Sequence, residues 1–355
     1  MDIGAVVDYG TKYTQTISAL TPRDNVDDDG TRMEDDYDIV DLSDDAICIV
    51  CADGHGSIEI APGCFRGGYE SAAAAVDAVR RNVGQAFSDP AELFERANEA
   101  VRNVDLSMDG HATFEKATEG GAAVLRVGGH SASAFFGTTL TTVALERDAV
   151  LVSHVGDSLA CFVPERGDPV MLHDAHTVEN EEEHRRVVEM GARRAKRRSS
   201  RTASRGHACL QKRYVYPTGK CAYECALTRS LGHFGNPAIL YTPEVAQAQL
   251  HDGFVVVATD GVWDHVGLDD IASICRSSDD MQEAAHGIME KVKLSAARSR
   301  DNATVVCVRV PLVSAEPEVE EQKEEEEGRE ERDEPPAPQA PPEAPRRAHG
   351  CCSLM

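Results

Sequence analysis

Aromatic side chains are scarce: they make up 5% of the 355 residues, with a single Trp. Any core must therefore rest on Val, Ile, Leu and Ala. Long apolar runs are missing too. No stretch of 18 apolar residues occurs, so nothing reads as a membrane-spanning helix, and Met1-Asp2-Ile3 opens no signal peptide. Positive charge is in deficit, with 36 Lys and Arg against 61 Asp and Glu and a formal net charge of -25. Such a surface repels a phosphate backbone, which excludes nucleic acid as a partner. Cysteine lacks order rather than number. There are eleven, irregularly spaced; Cys48 and Cys51 sit in an apolar run, and the pair Cys221 and Cys225 has no second pair to complete a zinc site. Thiols in a reducing cytoplasmic setting are the expectation.

What is present alternates between apolar runs and carboxylates. Strands are predicted over 1–20, in DYDIVDL and AICIVCA, in TTLTTVALE, AVLVSHVG and SLACFVP, in GFVVVATDG and in ATVVCVRV. Helical periodicity marks 69–83, 90–106, 179–190, 268–276 and 281–298. Residues 21–36 read as an acidic loop, and a Gly- and Ala-rich loop runs to Ala134. The basic stretch Arg193 to Arg205 reads as an exposed insertion. Beyond Pro311 the chain turns to Glu and Pro, too polar to offset the entropy of ordering, so disorder is expected. Strands come in pairs joined by short turns and helices come in pairs, which favours an α+β layered fold over a doubly wound parallel sheet.

Four aspartates abut the ends of apolar strands. Asp53 follows ICIVCA, Asp157 follows VLVSHVG, Asp260 follows FVVVAT and Asp301 precedes NATVVCVRV. One Asp at a strand end is an ordinary turn residue. Four converging at core strand ends would repel one another unless a cation neutralises them. Hard divalent ions with oxygen ligands, Mg²⁺ or Mn²⁺, fit that donor set. Gly54 would let the backbone approach such ions closely.

Seven short motifs carry a resemblance. They are MED at 33–35, ADGHG at 52–56, GTTLTTVAL at 137–145, HVGDSLA at 154–160, LTRSLG at 227–232, ATDGVWD at 258–264 and DNATVVCV at 301–308. In this order and spacing, over residues 1–312, the chain resembles the 2C-type metal-dependent serine/threonine protein phosphatases. The resemblance implies a four-layer α-β-β-α sandwich with a central antiparallel β-sandwich, a flap insertion and a cleft holding two Mg²⁺ or Mn²⁺ ions. By position, Asp53 would bridge both ions and the Gly54 carbonyl would bind one. Asp260 and Asp301 would hold the metal on one side, and Glu34 and Asp35 would bind directly or through water. Asp157 and Asp264 match a weaker third site, His55 the general acid and Thr139 the small-residue motif under the cleft. Water activated by the metals would attack phosphorus in phosphoserine or phosphothreonine proteins, and His55 would protonate the leaving oxygen.

The pattern departs from the family at three places. The family's phosphate-gripping Arg stands five residues before its first acidic Asp, yet Gly30 holds that place here. Arg32 is three before Asp35, and Arg23 is five before Asp28. The grip falls to one of these or to neither. Leu159 replaces the usual Arg after GDS, and His233 the usual Asp after the LTRSLG segment. The basic insertion falls where the family carries a variable flap, and could attract acidic phosphopeptides. The expected organisation is a catalytic domain over 1–312, a disordered tail over 313–350 and a lipidation motif over 351–355. Cys352-Ser353-Leu354-Met355 fits the prenylation pattern and Cys351 could take palmitate, giving peripheral membrane contact. A monomer is expected. The alternative to an active phosphatase is an inactive relative that binds phosphoproteins as a scaffold. A metal-dependent nuclease is opposed by the acidic balance.

Overall fold

The computed structural model describes residues 2–8, 16–18, 33–61, 64–107, 112–115, 124–127, 130–133, 135–147, 149–198, 210–218, 221–233, 236–295 and 301–310. Two antiparallel sheets form the centre. One runs Val170–Met171, Leu159–Pro164, Gly253–Ala258, Ala303–Val310, Ile3–Asp8, Thr16–Ser18. The other runs Leu231–Gly232, Gly137–Thr138, Ala46–His55, Leu140–Glu146, Ala149–Val155, Glu244–Gln249, with Asp35–Ser43 also paired to Ala46–His55.

Alternation along each strand builds the layers, because successive side chains point to opposite faces. In Ala46–His55, Ile47, Ile49 and Cys51 meet Val255, Val257, Val306 and Val308 of the other sheet. Cys48, Val50 and Ala52 face the opposite way, onto helices Gly68–Arg81 and Pro90–Arg102. Likewise Phe254, Val256 and Ala258 turn outward to helices Leu268–Ser277 and Met281–Ser295. The result is the expected four layers, α-β-β-α. Asp89 caps the helix that starts at Pro90 by accepting from the Glu92 amide, and that helix stops at Arg102.

Three sequence expectations need correction. The stretch before Ala134 is not all loop: Ala112–Glu115, Val124–Val127 and His130–Ser133 form a three-stranded sheet. The basic insertion begins as a strand, Arg193–Arg198, paired with Leu210–Thr218, which in turn pairs with Cys221–Cys225. Among the described residues Arg193–Arg198 is an edge strand of that sheet. The strand predicted from TTLTTVALE is interrupted at Thr139, for a reason that lies in the site.

Among the described residues no helix is long and apolar enough to cross a membrane. Cys48, Cys51, Cys161, Cys225, Cys275 and Cys307 are buried thiols.

Candidate metal centre

The inward faces of both sheets change from apolar to acidic at one end. Asp53 continues the inward row Ile47, Ile49, Cys51, and Asp35 stands opposite it in the ladder between Asp35–Ser43 and Ala46–His55. Asp35 is buried, 4% exposed. Its Oδ2 accepts from the Thr259 and Thr304 hydroxyls of the other sheet, both at 2.9 Å. Those two threonines are locked together in turn, since the Thr304 amide donates to Thr259 Oγ1 at 3.0 Å. The other Asp35 oxygen, Oδ1, is buried with no hydrogen-bond partner. A buried oxygen of that kind is costly unless a charge or donor meets it.

Thr139 fixes the backbone of Asp53. Its amide donates to the Asp53 carbonyl and its hydroxyl accepts from the Asp53 amide, each at 2.9 Å. This crossing interrupts the strand at Thr139. The Ser158 hydroxyl lies 2.8 Å from that of Thr139, which ties the residue after Asp157 to the same point. Gly54 is required sterically: a Cβ there would stand 2.1 Å from the Gly68 carbonyl oxygen. The Gly54 amide donates to the Glu34 carbonyl at 3.0 Å. Glu34 is held by Asn302, whose side chain accepts from its amide at 3.1 Å, and by a close contact from the Ser57 hydroxyl to its carboxylate. Asp301 accepts from the Asn302 amide at 3.0 Å.

The electrostatics follow from this crowding. Burial, then Asp35, Asp260, Asp157 and Asp301, raise the Asp53 carboxyl well above its ordinary value. Burial, then Asp157, Asp301, Asp264 and Asp35, do the same to Asp260. Burial pushes Asp35 to about 7, opposed by its two threonine hydrogen bonds, and Asp157 to about 6. Asp264 is raised chiefly by burial. Carboxylates that resist ionisation together form a site that favours a cation. Among the described residues no three His, Cys, Asp or Glu groups close to the separation that would enclose one ion. The all-oxygen chemistry of these carboxylates and the orphaned Asp35 Oδ1 fit a hard divalent cation.

Asp35, Asp53, Asp157, Asp260, Asp264 and Asp301 are thus electrostatic neighbours, with Glu34 and Gly54 attached. His55 lies on the same strand, and its Nε2 is 2.9 Å from the Ser230 hydroxyl. Arg32, Arg23, Cys351 and Cys352 lie outside the described residues. Sequence reasoning missed Thr259, Thr304, Asn302 and Ser230. All four stand inside the motifs already quoted; Thr259 and Asn302 adjoin Asp260 and Asp301, while Thr304 and Ser230 carried no such signal.

The Protein phosphatase 2C family profile matches residues 126–303, half of the chain. This chain belongs to the protein phosphatase 2C family. It is 30% identical to "Probable protein phosphatase 2C 12" of Arabidopsis thaliana over 196 residues, 53% of this chain and 43% of that protein. It is 30% identical to "Protein phosphatase 1K, mitochondrial" of Xenopus laevis over 177 residues, 48% of this chain and 42% of that one. The matches therefore span less than half of these relatives' length. In fold, the chain is similar to a serine-threonine phosphatase 2C of Toxoplasma gondii, with TM-score 0.57 at 15% identity, covering 87% of this chain and 94% of that one.

Proposed function

We propose that this chain hydrolyses phosphoserine and phosphothreonine in proteins, in a reaction that depends on two divalent cations held at the acidic end of the sandwich. The observation that supports this reading is a set of buried carboxyls, Asp35, Asp53, Asp157 and Asp260, each raised first by burial and then by neighbouring carboxylates, with one Asp35 oxygen buried and unpartnered. Asp53 would bridge the ions, with the Gly54 carbonyl, Asp260 and Asp301 as further ligands. Glu34 and Asp35 would bind directly or through water, and Asp157 and Asp264 would serve a weaker third ion. Mg²⁺ or Mn²⁺ supplies, when bound, Lewis-acid activation of water and neutralisation of phosphoryl charge.

The chain's own groups do the remainder. Thr139 clamps the Asp53 backbone on both sides, and Thr259 and Thr304 hold Asp35. His55, steadied by Ser230, is the proposed proton donor to the departing seryl or threonyl oxygen. Arg32 is the proposed phosphate grip. Phosphate release from a phosphothreonine peptide should require Mn²⁺ or Mg²⁺ and stop with EDTA. It should fall about 100-fold or more in Asp53→Asn, the scale of losing a principal electrostatic group. Turnover that survives EDTA contradicts the reading.

The domain organisation belongs to the same proposal: catalysis within 1–312, with 313–350 as a tether. Where Met355 is the terminal residue, Cys352 is the proposed prenylation site and Cys351 a second acylation site, which together would hold a monomeric enzyme at a membrane. In cells, Cys352→Ser should move the full chain from the membrane pellet to the supernatant. An unchanged distribution would sink the anchor.

A further inference from the structure

His55 does not meet Ser230 alone. The strands Ala46–His55, Gly137–Thr138 and Leu231–Gly232 lie side by side, and their register places His55 opposite Gly137 and Gly137 opposite Gly232. Gly137 has no side chain, so the residue after Gly232 can lean across it. That residue is His233. Its ring stacks on the His55 ring with centroids 4.8 Å apart and 28° between planes, and the two Nε2 atoms are 3.4 Å apart. A Cβ on Gly137 would stand 3.1–3.2 Å from the His233 ring.

The His233 backbone is unusual as well. Its φ is 49°, in the left-handed region that non-glycine residues adopt at a cost of about 1 kcal/mol. The surroundings impose it: the His233 amide donates to the Phe136 carbonyl at 3.2 Å, and the Asn236 amide donates to the His233 carbonyl at 3.1 Å. The Gly232 amide is anchored by Asn98 at 3.0 Å. The ring is buried, 3% exposed. Burial, with the His55 ring beside it, lowers the His233 imidazole well below its ordinary value, so it remains neutral.

The hydrogen-bond arithmetic assigns the partners. Ser230 Oγ has one proton, and two carbonyl oxygens compete for it, Thr138 at 3.0 Å and Leu231 at 3.2 Å. Carbonyls only accept. With the proton given to one of them, Ser230 Oγ accepts from His55 Nε2–H at 2.9 Å, and His233 Nε2 faces the same N–H. His55 is thereby held in one ring orientation with a proton retained on Nε2, so the proton passed to the leaving oxygen is the one carried on Nδ1.

We propose that His233 is a positioning residue for His55, its ring holding the proton donor in place across Gly137. This rests on the phosphatase reading and on His55 as its proton donor. The consequence is selective. A seryl or threonyl oxygen leaves as a strongly basic alkoxide and needs a proton. A p-nitrophenyl oxygen leaves as a stable anion and needs little help.

The test compares the two substrates in the full chain with Mn²⁺, using two variants. His233→Gly removes the ring and accepts φ > 0 without strain. His233→Asp tolerates the same backbone and restores an acceptor. In His233→Gly, kcat on a phosphothreonine peptide should fall about tenfold or more, within the range assigned to proton transfer. KM should stay within about twofold, and p-nitrophenyl phosphate turnover should fall far less. His233→Asp should recover most of the peptide kcat. Parallel losses on both substrates, or no loss on the peptide, would overturn the inference while leaving the phosphatase reading intact. A wild type that releases phosphate from neither substrate would overturn that reading and the inference with it.

Discussion

Three buried histidines, His154, His173 and His176, stack beside the acidic loop that carries Asp157. The His154 ring lies 3.8 Å from that of His173 and 4.2 Å from that of His176, centroid to centroid. His176 accepts from the Gly156 amide through Nδ1, and its own amide donates to the Gly156 carbonyl. Its carbonyl accepts from the Thr228 amide, so it joins the Asp157 loop to the segment bearing Ser230. Burial, first among the causes, lowers His154 to about 4 and both His173 and His176 to about 2. The unfolded chain, with imidazoles near 6.5, therefore binds more protons than the folded one below that pH. The contribution of these three histidines should be present above about pH 6.5 and drain away as pH falls, each group accounting for up to about 1.4 kcal/mol per pH unit. The raised carboxyls of the acidic end act in the opposite sense, so the test is a difference: between pH 7 and pH 5 the melting temperature of His173→Gln should fall less, or rise more, than that of the wild type, even if the variant is less stable at pH 7. An unchanged slope would show that His173 is not one of the groups responsible. None of this stacking was legible in the sequence, where the three histidines look like isolated polar residues. The aspartates were legible because each ends an apolar run. Their supports were not, since Thr259 and Thr304 reach Asp35 across 224 and 269 residues of chain.

Elements were readable where burial dictated their composition. Strands Ala46–His55, Gly253–Ala258 and Ala303–Val310 are nearly all apolar because they are covered on both faces, by the partner sheet and by helices. Helix Gly68–Arg81 begins where Glu70 accepts from the Gly67 amide at 2.8 Å, and its Ala-rich face lies on the sheet. Elements whose hydrogen bonds, rather than apolar faces, define them were not readable. Arg193–Arg198 is a strand by pairing with Leu210–Thr218, yet its sequence reads as a charged run with no apolar face. The break at Thr139 was equally hidden, because it exists only once Asp53 is brought alongside.

At the scale of the molecule, the two sheets bury valine against valine along their length and leave carboxylates facing one another at one end. A protein with a formal charge of -25 that also crowds buried aspartates together sets like charges against each other, which a bound cation relieves. The most direct measurement is a calorimetric titration of the metal-free full chain with Mn²⁺ at pH 7.5. The account predicts binding of two ions per chain, with loss of at least one of them in Asp53→Asn. No binding by the wild-type chain, or two ions still bound by Asp53→Asn with undiminished affinity, would contradict it.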